Sequence, residues 1–160
     1  YFSRFLNLNL VVTRLFNSIG PGQSDTYVMS NFAKQIVEMK LGIRDKVLKV
    51  GNIEVQRDFL DVRDVAEAYS LLLEGKEKNE VYNICSGKSL KISDIVNFMI
   101  KFTGINGVQI EVDPKRLRSS EIQKIQGSYE KINKAYGWSP SITLRQTIFD
   151  ILNYWEEKLK

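Results

Sequence analysis

Histidine is absent from this sequence, and cysteine occurs once, at Cys85. The chain therefore cannot assemble the histidine and cysteine ligands of a typical zinc or other transition-metal centre, and we expect no metal site. A serine nucleophile would likewise have no histidine to act as its base. A single cysteine excludes an internal disulfide, and the apolar neighbours Val81 and Ile84 predict a buried thiol.

Long apolar runs are also missing. No stretch approaches the roughly 20 residues that cross a bilayer, and no charged-then-apolar leader opens the chain. We therefore expect a cytoplasmic protein with no membrane partner. The 23 basic and 19 acidic residues give a net charge of +4. Because the basic residues are interspersed among acidic ones and form no clustered face, we expect no nucleic-acid partner.

A glycine-rich dinucleotide loop is the third absence. Gly87-Lys88-Ser89 ends like a phosphate-binding P-loop, but Tyr82 stands where that motif needs its first glycine. Tyr154 and Lys158 have the spacing of a reductase acid/base pair. They lie on the terminal helix with no cofactor loop before them, so we interpret them as packing and helix-end charge.

The sequence does contain a regular alternation of strand and helix patterns. Apolar and β-branched runs predict strands at residues 10–16, 47–50, 54–59, 80–85 and 108–112. Helical spacing predicts helices that end at Gly42, Gly75, Gly104 and Gly137. The predicted helix caps are Asp61, Ser93, Ser128 and Thr143, the last in a capping box with Gln146. Gly51-Asn52 has the turn chemistry of a hairpin. The pattern favours an α/β fold, with fewer βαβ units than a complete doubly wound sheet.

Asn17 is the first candidate binding residue. It follows the first predicted strand, at the end where open α/β sheets bind their ligands, and its amide can donate to a phosphate or sugar oxygen. The alternative is that Asn17 only shapes the turn before Gly20-Pro21-Gly22.

Arg57 is the second candidate. It lies between Val55 and Phe59 on the inner face of its predicted strand, where a guanidinium needs an anionic partner. That partner is either a ligand phosphate or the neighbouring Asp58 or Asp61. We interpret both aspartates as caps and salt-bridge partners and not as an acid/base pair.

A third candidate lies in the basic segment after Pro114. Arg118 and Glu121 stand three residues apart and could hold a phosphate and a ribose hydroxyl, respectively. The alternative is a solvated charged loop, which such a charged segment more commonly forms.

Ordered motifs connect these candidates. They are Arg14-x-Phe-Asn17-x-x-Gly-Pro-Gly-Gln23, Phe32-Ala33-Lys34-Gln35-Ile36, Val50-Gly51-Asn52, Arg57-Asp58-Phe59-x-Asp-Val-Arg-Asp64, Val81-Tyr82-Asn83-Ile84-Cys85-Ser86-Gly87 and Arg118-x-x-Glu121. Together they resemble the C-terminal part of extended short-chain dehydrogenases/reductases of the NAD-dependent epimerase/dehydratase family. Within that family the sequence is most similar to the GDP-6-deoxy-4-keto-mannose reductases and the GDP-mannose 4,6-dehydratases.

The resemblance implies a nucleotide-sugar-binding lobe and the last strand and helix elements of a Rossmann-type fold, without the N-terminal dinucleotide-binding half. In that family the missing half binds NAD or NADP and supplies the catalytic Ser/Thr, Tyr and Lys. Residues 1–26 would be remaining Rossmann-half elements, and 27–160 mainly the nucleotide-sugar-binding domain. We therefore expect no catalytic residue and no cofactor on this chain alone. The expected partners are a nucleotide diphosphate sugar, the missing half and a second copy in a homodimer.

The same resemblance assigns roles to single residues. Asn17 would contact the diphosphate or sugar, Val28 and Asn31 would line the base or sugar pocket, Arg57 would bind the diphosphate, Arg118 and Glu121 would lie near the nucleoside, and Ser18 would lie beside the nicotinamide.

Departures from the family pattern separate its members. The Gly20-Pro21-Gly22-Gln23 loop is similar to that of reductases, Asn31 stands where dehydratases tend to have lysine, and Ser119 replaces a usual proline. The resemblance thus favours a GDP-4-keto-6-deoxy-mannose reductase over a dehydratase or an epimerase. A non-catalytic α/β module that binds an anion or a protein is the rival hypothesis from another class.

Overall fold

The computed structural model describes residue 5 and residues 8–75, 79–117 and 120–160. The strands are β1 (Val11–Leu15), β2 (Asn17–Ile19), β3 (Val47–Val50), β4 (Gln56–Asp61), β5 (Glu80–Ile84), β6 (Ser89–Lys91) and β7 (Gln109–Val112). The helices are α1 (Val28–Lys40), α2 (Val62–Glu74), α3 (Ile92–Thr103), α4 (Glu130–Tyr136) and α5 (Leu144–Leu159), with a short 3₁₀ turn at Pro114–Arg116. The alternation of strands and helices confirms the α/β prediction.

The strands pair in small, mostly parallel sheets. β1 pairs with β5, β2 with β4, and β3 with β7, all parallel, while β6 adds to β4 antiparallel. The register places Asn17 opposite Phe59 and Arg57 opposite Leu90. The two predicted binding residues therefore come from neighbouring strands of one sheet.

The predicted hairpin at Gly51-Asn52 is wrong. β3 pairs with the distant β7, and β4 pairs with β2 and β6. The Asn52 side chain instead accepts a hydrogen bond from the Glu54 amide at 3.0 Å, which closes a local turn without joining the flanking strands. Burial of β3 residues such as Leu48 in the core determines the partner of β3, and the turn does not.

Two of the predicted helix caps are confirmed by hydrogen bonds. The Asp61 carboxylate accepts from the Arg63 amide at 2.8 Å at the start of α2. The Thr143 hydroxyl accepts from the Gln146 amide at 3.2 Å at the start of α5. The Gln146 side chain donates to Asp150 at 2.8 Å, and within the described part of the chain no hydrogen bond from the Thr143 amide to Gln146 completes the predicted capping box.

The predicted cap at Ser93 is wrong. Helix α3 begins at Ile92, two residues before the start that a Ser93 cap predicts, and its N-cap residue, Lys91, makes no side-chain cap hydrogen bond. The amides of Ile92 and Ser93 donate to the carbonyls of Val55 and Ile53, so the loop before β4 satisfies them. The predicted cap at Ser128 is displaced by one residue, because Tyr129 is the N-cap of α4. The Ser128 hydroxyl still accepts a hydrogen bond from the Glu130 amide in the first turn.

The core has two clusters. The larger one joins α1, α3, α5 and β3, and the smaller one joins β4, β5, α2 and α4 around Tyr82 and Trp138. Each buried indole N–H has an acceptor, Ser30 for Trp155 and the Asp64 carbonyl for Trp138.

Burial of the lone thiol is confirmed. Cys85 is fully buried, and burial together with the charge of Asp58 raises the pKa of the thiol to about 11. Within the described ranges, no helix combines the length and apolar character that a membrane crossing requires. The expected division of the chain at residue 26 stays a prediction.

Candidate functional site

A cleft of about 580 Å³ opens where the sheet of β2 and β4 meets the start of α1. The loop between β3 and β4 and the segment after β7 complete its walls. The lining residues are Asn17, Asp25, Thr26, Tyr27, Val28, Asn31, Phe32, Gly51, Asn52, Arg57, Phe59, Ile92, Arg116 and Glu121. The cleft therefore unites Asn17, Val28, Asn31, Arg57 and Glu121, which sequence analysis drew from four separate segments.

Asn17 enters the cleft from the first position of β2, and not from a turn. Its side-chain N–H donates to the Asp58 carbonyl at 2.9 Å, across the parallel pairing with β4. This bond fixes the orientation of an otherwise exposed amide. An amide held in this way can offer its remaining N–H and its oxygen to a polar ligand.

Arg57 lies on the cleft wall with its side chain only 12% exposed. Its Nη1 donates to the carbonyls of Gln56 and Ile122, each at 2.8 Å, and its Nη2 lies 3.4 Å from Glu121 Oε1. The guanidinium is thus anchored at one side by the chain itself. Such a planar, pre-oriented fork is suited to a phosphate group.

The aspartates beside Arg57 do not neutralise it, so that alternative is wrong. Asp58 is fully buried and faces away from Arg57, accepting from Ser86, Gly87 and Gly127. Asp61 caps α2 and pairs with Arg63 at 2.7 Å. Val55 and Phe59, which flank Arg57 at two-residue spacing, are buried as the inner-face prediction requires, but Asp58, Leu60 and Asp61 are buried too, so burial does not alternate along β4.

Other predicted residues fall in different places. Ser18 lies in β2, where its carbonyl accepts from the Gln23 side chain at 3.0 Å, but it does not line the cleft. Arg118 lies outside the described residues, so its role stays a prediction. The sequence holds no glycine-rich loop for a dinucleotide, and Ser18 is the one residue here that we expect beside a nicotinamide.

Sequence analysis missed Arg116, which lines the cleft from the 3₁₀ turn. Its Nη1 donates to Asn31 Oδ1 at 2.8 Å and to the Lys49 carbonyl at 3.2 Å. Gly51 permits this approach, because a Cβ there would lie 2.9 Å from the Arg116 carbonyl oxygen. The basic string after Pro114 was the only sequence signal, and it did not distinguish Arg116 from Arg118.

Ion pairs set the charge of the rim. Asp25 accepts a hydrogen bond from Lys34 at 2.6 Å, and this bond holds the pKa of Asp25 below its usual value. Glu121 is paired with Arg57. Both acids that line the cleft are thus paired with cations. The guanidinium groups of Arg57 and Arg116 are the positively charged donors that the lining offers to a ligand.

Comparisons with known proteins agree with this geometry. A family model described as GDP-mannose 4,6 dehydratase matches residues 2–151. GDP-6-deoxy-D-mannose reductase of Pseudomonas aeruginosa is 40% identical over 151 residues, which cover 94% of this chain and 49% of the relative. GDP-mannose 4,6 dehydratase 1 of Arabidopsis thaliana is 24% identical over 135 residues, covering 84% and 37%.

A solved structure gives the same result. The structure described as RMD from Pseudomonas aeruginosa complexed with NADPH superposes with a TM-score of 0.91 at 38% identity, covering 98% of this chain and 52% of that one. The chain spans about half the length of these relatives and corresponds to their C-terminal half. It belongs to the GDP-mannose 4,6-dehydratase family of extended short-chain dehydrogenases/reductases.

Proposed function

We propose that this chain is the nucleotide-sugar-binding part of an NAD(P)-dependent reductase that acts on a GDP-4-keto-6-deoxyhexose. The observation that carries the proposal is the single cleft that joins Asn17, Arg57 and Glu121 to the start of α1. An arginine with a carboxylate and an amide beside it matches the groups of a nucleotide diphosphate sugar, namely its diphosphate and its hydroxyls.

The identity levels favour a reductase over a dehydratase. The Pseudomonas aeruginosa reductase is 40% identical to this chain, and the Arabidopsis thaliana dehydratase is 24% identical. The Gly20-Pro21-Gly22-Gln23 loop and Asn31 point in the same direction.

In this proposal the chain binds and orients. Arg57 holds the diphosphate, Asn17 holds a diphosphate or sugar oxygen, and Val28 lines the pocket. Binding energy gained at these remote groups positions the keto carbon of the sugar for reaction. The cofactor supplies the hydride in enzymes of this kind, and Ser18 would lie beside its nicotinamide.

Calorimetric titration with GDP, GDP-mannose and UDP-glucose tests the proposal. We expect saturable binding of the GDP compounds that Arg57→Ala weakens about tenfold or more, because a charge-assisted contact to phosphate is lost. Arg44→Ala is the matched control, since Arg44 pairs with Glu38 away from the cleft. Indifference of the wild-type chain to all three ligands would contradict the proposal and favour the rival non-catalytic module.

A further inference from the structure

Arg116 is held more firmly than its position on a short turn suggests. Both hydrogens of Nη1 are engaged, one by Asn31 Oδ1 and one by the Lys49 carbonyl. The buried amide of Gln35 donates to the same two acceptors at 2.7 and 3.0 Å, and its oxygen accepts from the Lys49 amide at 3.0 Å. Helix α1 and strand β3 therefore fix the plane of the guanidinium jointly.

The other side of this guanidinium is available to a ligand. Among the described residues, no hydrogen bond engages Arg116 Nη2, and the side chain is 38% exposed on the cleft wall. Asp113 lies 3.5 Å from Nε and offsets part of the positive charge. Arg116 can therefore donate from Nη2 to an acceptor of a ligand in the cleft while its Nη1 stays anchored to the chain.

An apolar surface adjoins Arg116. Val28 and Asn31 are one helical turn apart on α1, so the partner of Arg116 lies on the same face as Val28. Val28 is 42% exposed and the preceding Tyr27 60% exposed, and both line the cleft. Exposed apolar side chains and a fixed N–H donor thus line one cleft, where a flat ring can pack against the former and accept a hydrogen bond from the latter.

We infer, building on the proposed function, that Arg116 is a specificity-determining residue that reads the nucleobase, and that the base it selects is guanine. Guanine presents two neighbouring acceptors, O6 and N7, which arginine N–H groups recognise. Adenine places an amino donor at the position of O6, and uracil lacks the neighbouring N7. Asn31 acts through Arg116 as a positioning residue.

Base discrimination, and not affinity alone, tests this role. We expect the wild-type chain to bind GDP more tightly than ADP or UDP in calorimetric titrations. Arg116→Ala weakens GDP binding about tenfold and changes ADP and UDP binding by about twofold at most, so that the preference collapses. Arg116→Lys does not restore the preference, because one ammonium cannot donate to Asn31 and the Lys49 carbonyl and also present an oriented amino group to the base. Asn31→Ala reduces the preference to an intermediate level.

The control variants separate the two proposals. Arg57→Ala weakens all three nucleotides alike, and Arg44→Ala changes none of them. Thermal melting of each variant shows whether the fold is retained. Equal weakening of GDP, ADP and UDP by Arg116→Ala, or no effect on any of them, overturns the role of Arg116 while the proposed function stands. A wild-type chain that binds no nucleotide overturns the proposed function itself.

Discussion

At the scale of single residues, Asp58 links strand β4 to two loops. Its fully buried carboxylate accepts hydrogen bonds from the amides of Ser86, Gly87 and Gly127 and from the Ser86 hydroxyl, at 2.6 to 3.1 Å. Asp58→Ala leaves these buried donors without an acceptor, so we expect the free energy of unfolding to fall by about 3 kcal/mol. Urea denaturation measures this loss.

The control for Asp58 is Asp94→Ala, because Asp94 is exposed in the first turn of α3. It should cost only a few tenths of a kcal/mol, about the value of one favourable charge near a helix start. Equal losses in the two variants would show that the Asp58 hydrogen bonds contribute nothing particular to stability.

Cys85 gives a second residue-scale prediction. Its buried thiol has a pKa raised to about 11 by burial and by the charge of Asp58, so little thiolate forms at neutral pH. We expect iodoacetamide to label the folded chain very slowly at pH 7.5 and to label it readily in denaturing urea. Mass spectrometry of the two samples checks this. Rapid labelling of the folded chain would contradict the burial of Cys85.

At the scale of elements, four side chains join the start of α2 to α5. Asp61 accepts from Arg63 and from the Thr147 hydroxyl at 2.6 Å, and Arg63 also pairs with Asp150 at 2.7 Å. Burial opposes the ionisation of Asp61, but the hydrogen bonds from Arg63 and Thr147 outweigh it and lower the pKa of this carboxyl below 3.8.

The sign of the resulting pH effect follows from this lowered pKa. The folded chain binds fewer protons at Asp61 than the unfolded chain does. The stability that Asp61 contributes is therefore complete above about pH 4 and is lost as the pH falls through the lower folded-state pKa. We expect Asp61→Asn to cost about 1 to 2 kcal/mol at pH 7, since Arg63 is half exposed to solvent. The difference from wild type should shrink by pH 2.5 in urea titrations, and a constant difference across that range would refute the link.

Sequence patterns predicted the elements better than their partners. The runs around Val47–Val50 and Glu80–Ile84 are strands, and the helices after Asp61 and Thr143 begin at the predicted caps. These features depend on neighbouring residues. The pairing of β3 with β7 joins residues about 60 positions apart, and the Gly51-Asn52 turn carries no information about it. The wrong cap at Ser93 has the same origin, because its amide finds an acceptor at Ile53.

At the scale of the whole molecule, the sequence predicted those cleft residues whose chemistry was unusual for their place in a predicted strand. Arg57 on an inner strand face needed an anionic partner, and Asn17 followed a strand end. Arg116 could not be found in this way, because its orientation depends on Gln35 and Lys49, which lie more than 60 residues away in sequence. Its orientation is fixed only by the tertiary contacts that α1 and β3 make with the 3₁₀ turn.

The strand β1 and helix α2 give the molecule an exposed apolar surface. Leu10, just before β1, is 36% exposed, and Leu73 on α2 is 86% exposed. Both side chains line a shallow depression between these elements, together with Tyr69. Exposed apolar patches promote association. We therefore expect the chain to self-associate as its concentration rises, with Leu10→Lys/Leu73→Lys shifting it toward the monomer in sedimentation velocity.

The control for this surface is Ile43→Lys, which places the same charge on an apolar residue that is 59% exposed in the loop between α1 and β3. The single variants Leu10→Lys, Leu73→Lys and Ile43→Lys are therefore compared, because each adds one positive charge. Dispersal by the first two but not by the third assigns association to the surface of β1 and α2, since net repulsion would act equally in all three. Equal dispersal by all three, or a wild-type chain that stays monomeric at every concentration, would refute it.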